Sequence, residues 1–547
     1  MSYGSNGSVI GPDNVPTSSA APGVWSLGEI AEAVRDDIWP APDSISKFGL
    51  LTLPTGDSAN NLVLDLDTSG NAVALLACSY GTNYVVEIAK ADWSFTYMRN
   101  YSQSGGSNLY LYHMGINPTS FSSSTNVLFL GGIVANMAGG MIGVQIGRVV
   151  KTGSTGWDDF TPYGTSNDGY MAGSMGGYPY TYQNYLDTGR YAFKAASDYP
   201  TTSDSFCFTA GGRWSTGSTY YGRFGVLVDD NAAAPTQNGY VFTNDSGYNS
   251  RGEGACGMVG TSAAVWLMDS TYWATPVLIS DAISATGSNN DYTSGAQGQK
   301  LGGFAINLKT RIGPESHNGS QRVSGGNNET LIIGEKSGDL QICRYSMSGS
   351  GSATWARKLT PTTFGSSAYP SVSGGIVSTD GTKAYGCWAS HNSDATNRGW
   401  IIIGCWNYAN GTAIWQNRLT WADASEGTNT RFNQCDMKLA ATDATDDSLI
   451  LTAKLYQTTG SPQENVPILR LRSDGGGLGT YSFTATGKAG GVISLTYAAD
   501  TSPEAAMTTL SPSTYTSWYN PGSLFGYTES KSSANAAVTS GYTWEAP

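Results

Sequence analysis

From about residue 46 to residue 485, apolar and polar residues alternate with a period of two. This alternation is typical of β-strands that bury one face. Residues 61–80 read as a strand, a turn and a second strand, and residues 81–102 supply two more strands. The turn at residues 67–71, Asp-Thr-Ser-Gly-Asn, has the chemistry of a tight hairpin. This region is therefore predicted to be a series of short antiparallel strands.

A unit of strand, polar turn and second strand with an aromatic residue recurs along this region. In four copies of this unit the aromatic residue is a tryptophan: Trp93, Trp157, Trp355 and Trp415. The first two lie 64 residues apart and the last two lie 60 residues apart. Residues 466–487 have the same shape with Tyr481 as the aromatic residue, and residues 224–243 form a degenerate copy. Each copy is expected to end on the outermost strand of one sheet.

A four-stranded sheet of about 45–60 residues that repeats several times is typical of a β-propeller, in which radial closure hides most sheet edges. The predicted fold class is all-β, a β-propeller-like array of about six or seven four-stranded blades, with a short N-terminal helix and an extended C-terminal arm. A pair of β-sandwiches or a β-helix is the alternative. Residues 244–330 are the least regular part, although they hold two strand-like segments.

Residues 23–40 form almost the only helical pattern in the chain. Ser26 and Glu29 make a capping box at its start, and Pro40 ends it. Its apolar face and flanking aromatic residues are Trp25, Leu27, Ile30, Val34, Ile38 and Trp39. A helix this short is marginal alone, so it needs a surface to pack on. It is expected either to pack on its own body or to dock on another subunit through these six residues.

The chain divides into three parts. Residues 1–45 are a leader with the docking helix, residues 46–487 are the β-propeller-like body, and residues 488–547 are an extended C-terminal arm. The arm ends in a Ser-, Ala- and Gly-rich stretch with little periodicity. We therefore expect the arm to be ordered only where a neighbour holds it.

Composition narrows the range of partners. The 547 residues carry a net charge of −13, and only 13% of them are charged. Because nucleic acid requires a basic surface, no nucleic-acid partner is expected. The N-terminus lacks the basic and apolar regions of a signal peptide, and no run of about 18 apolar residues predicts a membrane span. The chain is expected to be soluble and to be made in a cytoplasm.

The sequence offers no metal-binding pattern. The seven cysteines are widely spaced without a CxxC pair, so they are expected to be buried thiols that pack as small hydrophobic residues. Cys387 and Cys405 each precede a Trp, and a disulfide between them is an alternative. A calcium-like segment begins at Asp65, but Leu76 stands where the twelfth-position Glu is required. Neither a metal nor a cofactor is therefore expected.

No catalytic pattern stands out. The three histidines, His113, His317 and His391, lie far apart, and no GxSxG, HExxH or Walker signature occurs in a suitable context. Adjacent carboxylate pairs occur at residues 158–159, 229–230 and 446–447. Neighbouring residues of a strand point to opposite faces, so such a pair does not form the two-carboxylate site of a glycosidase. The chain is therefore predicted not to be an enzyme.

Tyrosines are concentrated in one Gly-rich stretch, residues 169–185. They are Tyr170, Tyr178, Tyr180, Tyr182 and Tyr185. Segments rich in Tyr, Ser, Gly and Asn make adaptable contact surfaces at low entropic cost. This stretch has two interpretations. Its tyrosine rings pack on the rim of the body, or they contact a glycan or a protein partner.

The leader carries a resemblance to a known group of proteins. Its matching residues are Asn14-Val15-Pro16, Gly23-Val24-Trp25-Ser26-Leu27 and Trp39-Pro40. In this pattern, residues 11–40 resemble a leader found in virion proteins of marine tailed bacteriophages, including phages of cyanobacteria. Val15 stands where Leu is usual in that leader. The resemblance covers about 30 of 547 residues and implies a virion component, often associated with the tail or its fibres.

The predicted function is a structural component of a tailed-phage virion, tail- or fibre-associated and in contact with the host surface. Its expected partners are other virion proteins, and its expected state is a homo-oligomer in the particle. The alternative is a lectin-like adhesin that binds host surface polysaccharide through the Tyr-rich stretch. A third reading, a tail enzyme that degrades surface glycans, has no catalytic residues to support it.

Overall fold

The computed structural model of the protein is all-β. It describes residues 46–57, 59–67, 69–78, 81–103, 108–117, 126–135, 143–151, 161–162, 174–175, 178–179, 193–196, 205–215, 219–231, 234–245, 254–259, 262–268, 273–279, 301–302, 320–322, 329–336, 339–346, 352–359, 371–372, 376–378, 381–389, 400–423, 431–439, 448–456, 464–484, 492–499, 504–506, 533–537 and 542–546. These residues contain 36 strands and no α-helix. The predicted all-β class is therefore confirmed.

The strands are numbered in chain order. The first twelve are β1 (Lys47–Thr52), β2 (Ala59–Leu66), β3 (Ala72–Cys78), β4 (Asn83–Ile88), β5 (Phe95–Gln103), β6 (Asn108–Asn117), β7 (Asn126–Ala135), β8 (Gly143–Lys151), β9 (Thr161–Pro162), β10 (Ser174–Met175), β11 (Tyr178–Pro179) and β12 (Phe193–Ala196). The next twelve are β13 (Ser205–Ser215), β14 (Thr219–Asn231), β15 (Ala234–Asp245), β16 (Gly254–Val259), β17 (Ser262–Met268), β18 (Trp273–Ile279), β19 (Leu301–Gly302), β20 (Ser320–Arg322), β21 (Glu329–Lys336), β22 (Asp339–Ser346), β23 (Ser352–Leu359) and β24 (Ser371–Val372). The last twelve are β25 (Ile376–Val377), β26 (Lys383–Ala389), β27 (Trp400–Asn407), β28 (Ala413–Asp423), β29 (Arg431–Leu439), β30 (Ser448–Tyr456), β31 (Asn465–Arg472), β32 (Gly479–Thr484), β33 (Val492–Ala499), β34 (Glu504–Ala506), β35 (Ser533–Ala537) and β36 (Thr543–Glu545).

These strands form eight antiparallel sheets, seven of which have four or more strands. Sheet I has the order β29-β30-β31-β1-β36, and sheet II has the order β2-β3-β4-β5-β35. Sheets III, IV and V are four-stranded meanders of β6–β9, β12–β15 and β16–β19. Sheet VI has the order β20-β21-β22-β23-β34, and sheet VII has the order β24-β26-β27-β28-β33-β32, with β25 paired to β26. The eighth sheet is the short pair β10-β11.

Several predicted hairpins are confirmed. Between β2 and β3, the Gly70 amide donates to the Asp67 carbonyl at 2.9 Å, and Gly70 has φ of +79°. The Asp67 carboxylate accepts from the amides of Ser69 and Asn71 at 2.9 and 2.8 Å, which fixes the turn. The degenerate copy at residues 224–243 lies in the antiparallel pair β14-β15, and the irregular stretch after it contains strands β17 and β18.

Sheet I joins the two ends of the predicted body. Strand β1 pairs antiparallel with β31 along its whole length, from Lys47 opposite Arg470 to Thr52 opposite Asn465. The fourth strand of this sheet therefore comes from the start of the body, and the first three come from its end. This pairing also corrects one prediction. Residues 466–487 are not a hairpin, because β1 already occupies the edge of β31 and β32 pairs with β33 in sheet VII instead.

The outer edges of four sheets are extended by strands from near the C-terminus. Strand β33 pairs with β28, β34 with β23, β35 with β5, and β36 with β1. The aromatic copies were expected to end on outermost strands, and this expectation is wrong for β5, β23 and β28. The physical reason is that an open edge strand invites pairing, and here residues of the same chain cover these edges.

Neighbouring sheets pack face to face with apolar residues between them. One cluster lies between sheets I and VII, a second between sheets I and II, a third between sheets II and III, and a fourth between sheets VI and VII. Sheet I is buried on both faces: in β30, Leu451 points toward sheet VII and Ile450 points toward sheet II. The first strands of neighbouring sheets also contact one another. Strand β2 contacts β29 and β6, strand β12 contacts β6 and β16, and strand β16 contacts β20.

Candidate functional site

The residues predicted as contact sites lie mostly outside the described part of the chain. The six residues of the docking helix, Trp25, Leu27, Ile30, Val34, Ile38 and Trp39, all lie outside it, as do Tyr170, Tyr180, Tyr182 and Tyr185. Tyr178 lies in β11, whose backbone pairs with β10. Of the histidines, His113 lies in β6, and His317 and His391 lie outside the described ranges.

Five of the seven cysteines, Cys78, Cys343, Cys387, Cys405 and Cys435, are buried free thiols. Cys387 and Cys405 lie on adjacent strands, but Cys387 is opposite Ile403 rather than Cys405. The Cys387 Sγ instead lies 3.5 Å from the Sγ of Cys435 in sheet I. Burial raises the pKa of Cys405 to about 12. A thiol held neutral in this way packs as a small hydrophobic residue, as predicted.

The junction between sheets I and II contains a buried ion pair. Lys454 Nζ lies 2.8 Å from Glu464 Oε1, and these side chains are only 6% and 12% exposed. Both charges also bind one residue of β2: Lys454 donates to the Ala59 carbonyl, and the Ala59 amide donates to Glu464. The pair thus satisfies both backbone groups of Ala59, which is completely buried. These two side chains of sheet I and its flanking residue therefore bind β2 by hydrogen bonds at one residue, Ala59.

Other polar contacts flank this ion pair. Thr52 Oγ1 donates to Asn465 Oδ1 at 2.8 Å, across the β1-β31 pairing. Trp93, which precedes β5 in sheet II, donates its Nε1 hydrogen to the carbonyl of Ile468 in sheet I at 3.0 Å. Trp93 has φ of +62°, a conformation that costs energy for a residue other than glycine. The buried indole and its hydrogen bond compensate for that cost.

Two ionisable groups at the same junction are held in their neutral forms. Burial raises the pKa of Cys78 well above its usual range, and the carboxylates of Asp57 and Glu464 add to the shift. Burial, followed by a hydrogen bond to Asp57, raises the pKa of Tyr84. The Tyr84 hydroxyl donates to Asp57 Oδ2. Neither group is activated as a nucleophile, because both retain their protons at neutral pH.

A repeated indole contact, which was not predicted from the sequence, joins sheets VI, VII and I. Trp355 in β23 donates its Nε1 hydrogen to the Tyr408 carbonyl at 2.7 Å. Its ring covers Gly411, which has φ of +69° and where a β-carbon would lie 2.6 Å from the ring. This turn follows β27 in the next sheet.

The second copy of this contact lies one sheet further on. Trp415 in β28 donates its Nε1 hydrogen to the Ser473 carbonyl at 3.0 Å and covers Gly475, which has φ of +79°. Arg357 and Asn417, each two residues after the Trp, donate to the carbonyls of Gly411 and Gly475 at 2.9 and 2.7 Å. The signal in the sequence was a Gly about one repeat after each Trp, at a position where only glycine fits both the backbone and the ring.

The last strand is also anchored by its side chains. The ring of Trp544 in β36 covers Gly49 in β1, where a β-carbon would lie 2.1 Å from the indole. The rings of Tyr542 and Phe95 are 4.8 Å apart. Glu545 accepts a hydrogen bond from the Thr484 amide at 2.6 Å. Residues of β36 and the one before it thus contact sheets I, II and VII.

Within the described ranges, no group of three His, Cys, Asp or Glu side chains is arranged to hold a metal ion. None of the described segments is a helix long and apolar enough to cross a membrane. The polar groups at the I–II junction named above bind each other or the backbone. This arrangement joins sheets together, and it is the best-defined polar site that the described residues form.

No protein-family model matches the chain, and no curated protein sequence matches it. Similar solved structures include a protein of unknown function from Dyadobacter fermentans, with 10% identity, a TM-score of 0.36, and coverage of 78% of this chain and 98% of that one. A mutant Trypanosoma rangeli sialidase displaying trans-sialidase activity is 8% identical with a TM-score of 0.26, over 67% of this chain and 55% of that one. An intramolecular trans-sialidase from Ruminococcus gnavus is 11% identical with a TM-score of 0.27, over 77% of this chain and 96% of that one. Likeness at this level carries no information about the function of this chain.

Proposed function

We propose that the chain is a structural component of a tailed-phage virion, associated with the tail or its fibres, and that its body is a seven-bladed β-propeller. The observation that carries the architecture is the pairing of β1 with β31, which brings the start and the end of the body into one sheet. Contacts between first strands of successive sheets support the same arrangement. Closure by a terminal strand removes an open edge and makes the body resistant to unfolding from either end.

The position of the leader supports a role in assembly. Strand β1 begins at Lys47, immediately after residues 1–45, and it is the fourth strand of its sheet. The strand that follows the leader therefore has only β36 outside it in sheet I. The part of the leader that resembles phage virion proteins is residues 11–40, so this segment precedes the β-strands of the body in the sequence.

Deletion of residues 1–40 tests this function. The truncated chain should fold and unfold with the same transition as the full chain, because the described strands begin after residue 46. It should no longer enter phage particles when it replaces the full chain during assembly. A Trp25→Ala, Trp39→Ala double variant is the matched control, and it should show a similar loss of incorporation. Normal incorporation of the truncated chain would refute the docking role.

A lectin-like adhesin is the second candidate, and it rests on the Tyr-rich stretch at residues 169–185. The short pair β10-β11 within this stretch gives Tyr178 a defined backbone register opposite Met175. Aromatic faces presented by such a ribbon can stack on sugar rings. A glycan array with Tyr180→Ala and Tyr182→Ala variants tests this candidate: a signal lost in the variants supports it, and no binding to any glycan counts against it.

A further inference from the structure

The C-terminal strand β36 is bound at the edge of sheet I as a peptide ligand would be. Only three residue pairs join it to β1, from Leu50 opposite Glu545 to Thr52 opposite Thr543. Strand addition of this kind combines backbone pairing, which gives affinity, with side-chain pockets, which give specificity. The backbone contribution is small here, so the side chains decide which peptide fits.

The pocket is formed by the absence of a side chain at Gly49. The Trp544 ring occupies the space above it, at a distance that no β-carbon at position 49 would permit. Phe95 extends the pocket, with its ring centroid 6.3 Å from that of Trp544 and 4.8 Å from that of Tyr542. On the other side, the Thr484 amide donates to Glu545. Gly49, Phe95 and the Thr484 amide together form the binding site of β36, here called the seat. The seat therefore selects an extended segment with a Tyr, any residue, a Trp and an acidic residue in that order.

We propose that this seat also accepts the C-terminal strand of a second copy of this chain, so that copies join by exchanging residues 533–545. The contacts described lie between residues 533–545, here called the tail, and the surface of the remaining body. None of these contacts requires the tail to belong to the same chain as that surface. Exchange of an identical element between subunits adds few new contacts and is a low-cost route to oligomers. This inference concerns self-association and does not depend on where the protein acts.

The length of the connection permits this exchange. Strand β34 ends at Ala506 and β35 begins at Ser533, so 26 residues connect them. A chain of that length can span about 90 Å, whereas a compact chain of 547 residues has a radius of gyration of about 24 Å. The connection can therefore reach the seat of a neighbouring molecule.

The tail is also held in a way that allows it to leave. The Nε1–H of Trp544 is buried without an acceptor among the described residues, and an unpaired buried donor weakens the seating of the ring. Strand β36 pairs over three residues and β35 over five. Such short pairings open more readily than the longer strands of the body.

Two complementary full-length variants test the proposal. Gly49→Val blocks the seat and leaves the tail intact, whereas Trp544→Ala disables the tail and leaves the seat intact. Valine is a favourable residue in a strand, and the three nearest atoms to the added β-carbon belong to Trp544, so the body should still fold once the tail is displaced. In analytical ultracentrifugation, each variant alone should sediment as a monomer. Their equimolar mixture should form a complex of twice the monomer mass.

A mixture that sediments only at the monomer mass would overturn the proposal. If Gly49→Val fails to fold, the unmodified chain decides the matter alone. Its mass should rise toward that of a dimer with increasing concentration, and the Trp544→Ala chain should remain monomeric over the same range. Equal behaviour of these two chains would also overturn the proposal. Neither result bears on incorporation into particles, so failure here is distinguishable from failure of the proposed function.

Discussion

Sheet I contacts its two neighbours in different ways. Toward sheet VII the contact is largely apolar. A buried cluster there includes Leu451 and Phe48, and the partly buried ring of Tyr481 stacks on Phe48 with the ring centroids 3.6 Å apart. Toward sheet II a second apolar cluster, around Ile450, is accompanied by the ion pair of Lys454 with Glu464 and its contacts to β2. The I–VII junction combines packing with hydrogen bonds from Trp415 and Asn417, and the I–II junction adds a buried ion pair to packing.

The two junctions also differ in the sequence separation of the residues that meet there. Across the I–VII junction, Cys387 and Cys435 are 48 residues apart, whereas Lys454 and Ala59 at the I–II junction are 395 residues apart. Closing the longer loop costs about 2 kcal/mol more, which is a modest difference. The larger need is for register, because a slip of one residue would turn every side chain of a strand to the wrong face. We infer that the ion pair fixes β2 in register at the place where distant segments meet.

The largest expected effect is at this ion pair. Glu464→Ala leaves Lys454 buried without its partner and the Ala59 amide without its acceptor. We expect it to lower the free energy of unfolding by about 3–5 kcal/mol, measured by chemical denaturation of the full chain. The matched control is the double variant Lys454→Met, Glu464→Leu, which removes both charges and should recover the part of the loss that comes from the unpaired Lys454, but not the part that comes from the unpaired backbone groups of Ala59. A cost of less than about 1 kcal/mol for Glu464→Ala would contradict a structural role for the pair.

The apolar parts of the two junctions should be equally sensitive. Leu451→Ala removes packing toward sheet VII, and Ile450→Ala removes packing toward sheet II from the neighbouring position of the same strand. Because both side chains are fully buried, each change should cost about 2–5 kcal/mol in denaturation experiments. If Ile450→Ala were nearly neutral while Leu451→Ala was costly, the I–II junction would depend on its polar contacts alone.

The all-β class and the first four strands of sheet II could be predicted because local alternation and the turn at Asp67 encode them. The β1-β31 pairing could not, because it joins segments more than 400 residues apart, and periodicity carries no information about partners at that distance. The ion pair was equally hidden, because the sequence does not indicate that the fold brings both Lys454 and Glu464 to Ala59.

The I–II and I–VII junctions should also respond to alkaline pH. Burial raises the pKa of Tyr84 at the I–II junction, with Asp57 adding to the shift. Burial also raises the pKa of Tyr497 at the I–VII junction, but a hydrogen bond from Asn417 opposes it. A group whose folded pKa is raised contributes its full stability below the unfolded pKa. That contribution is lost as pH rises above the unfolded value, about 10 for tyrosine.

The free energy of unfolding should therefore fall as pH rises above about 10, since the unfolded chain releases these protons first. Tyr84→Phe and Tyr497→Phe should each reduce this slope by a similar amount, because both hydroxyls keep their protons in the folded chain over this pH range and only the unfolded chain releases them. Denaturation midpoints measured from pH 8 to pH 11 give the slopes, with the unmodified chain as reference. Identical slopes for all three chains would show that neither tyrosine is held protonated by the fold.

The smallest expected effect is a difference in stability between the variants of the two indole contacts, those of Trp415 and Trp355. Trp415→Phe keeps an aromatic ring over Gly475 and removes the indole donor to the Ser473 carbonyl. This change should cost about 1 kcal/mol.

Trp355→Phe is the matched comparison, because its acceptor, the Tyr408 carbonyl, also receives a hydrogen bond from Arg344 at 3.1 Å. That carbonyl stays paired when the indole is removed, so the loss should be smaller. Denaturation of the two variants under one condition gives the difference directly. A larger cost for Trp355→Phe would mean that ring packing, rather than the hydrogen bond, carries these contacts.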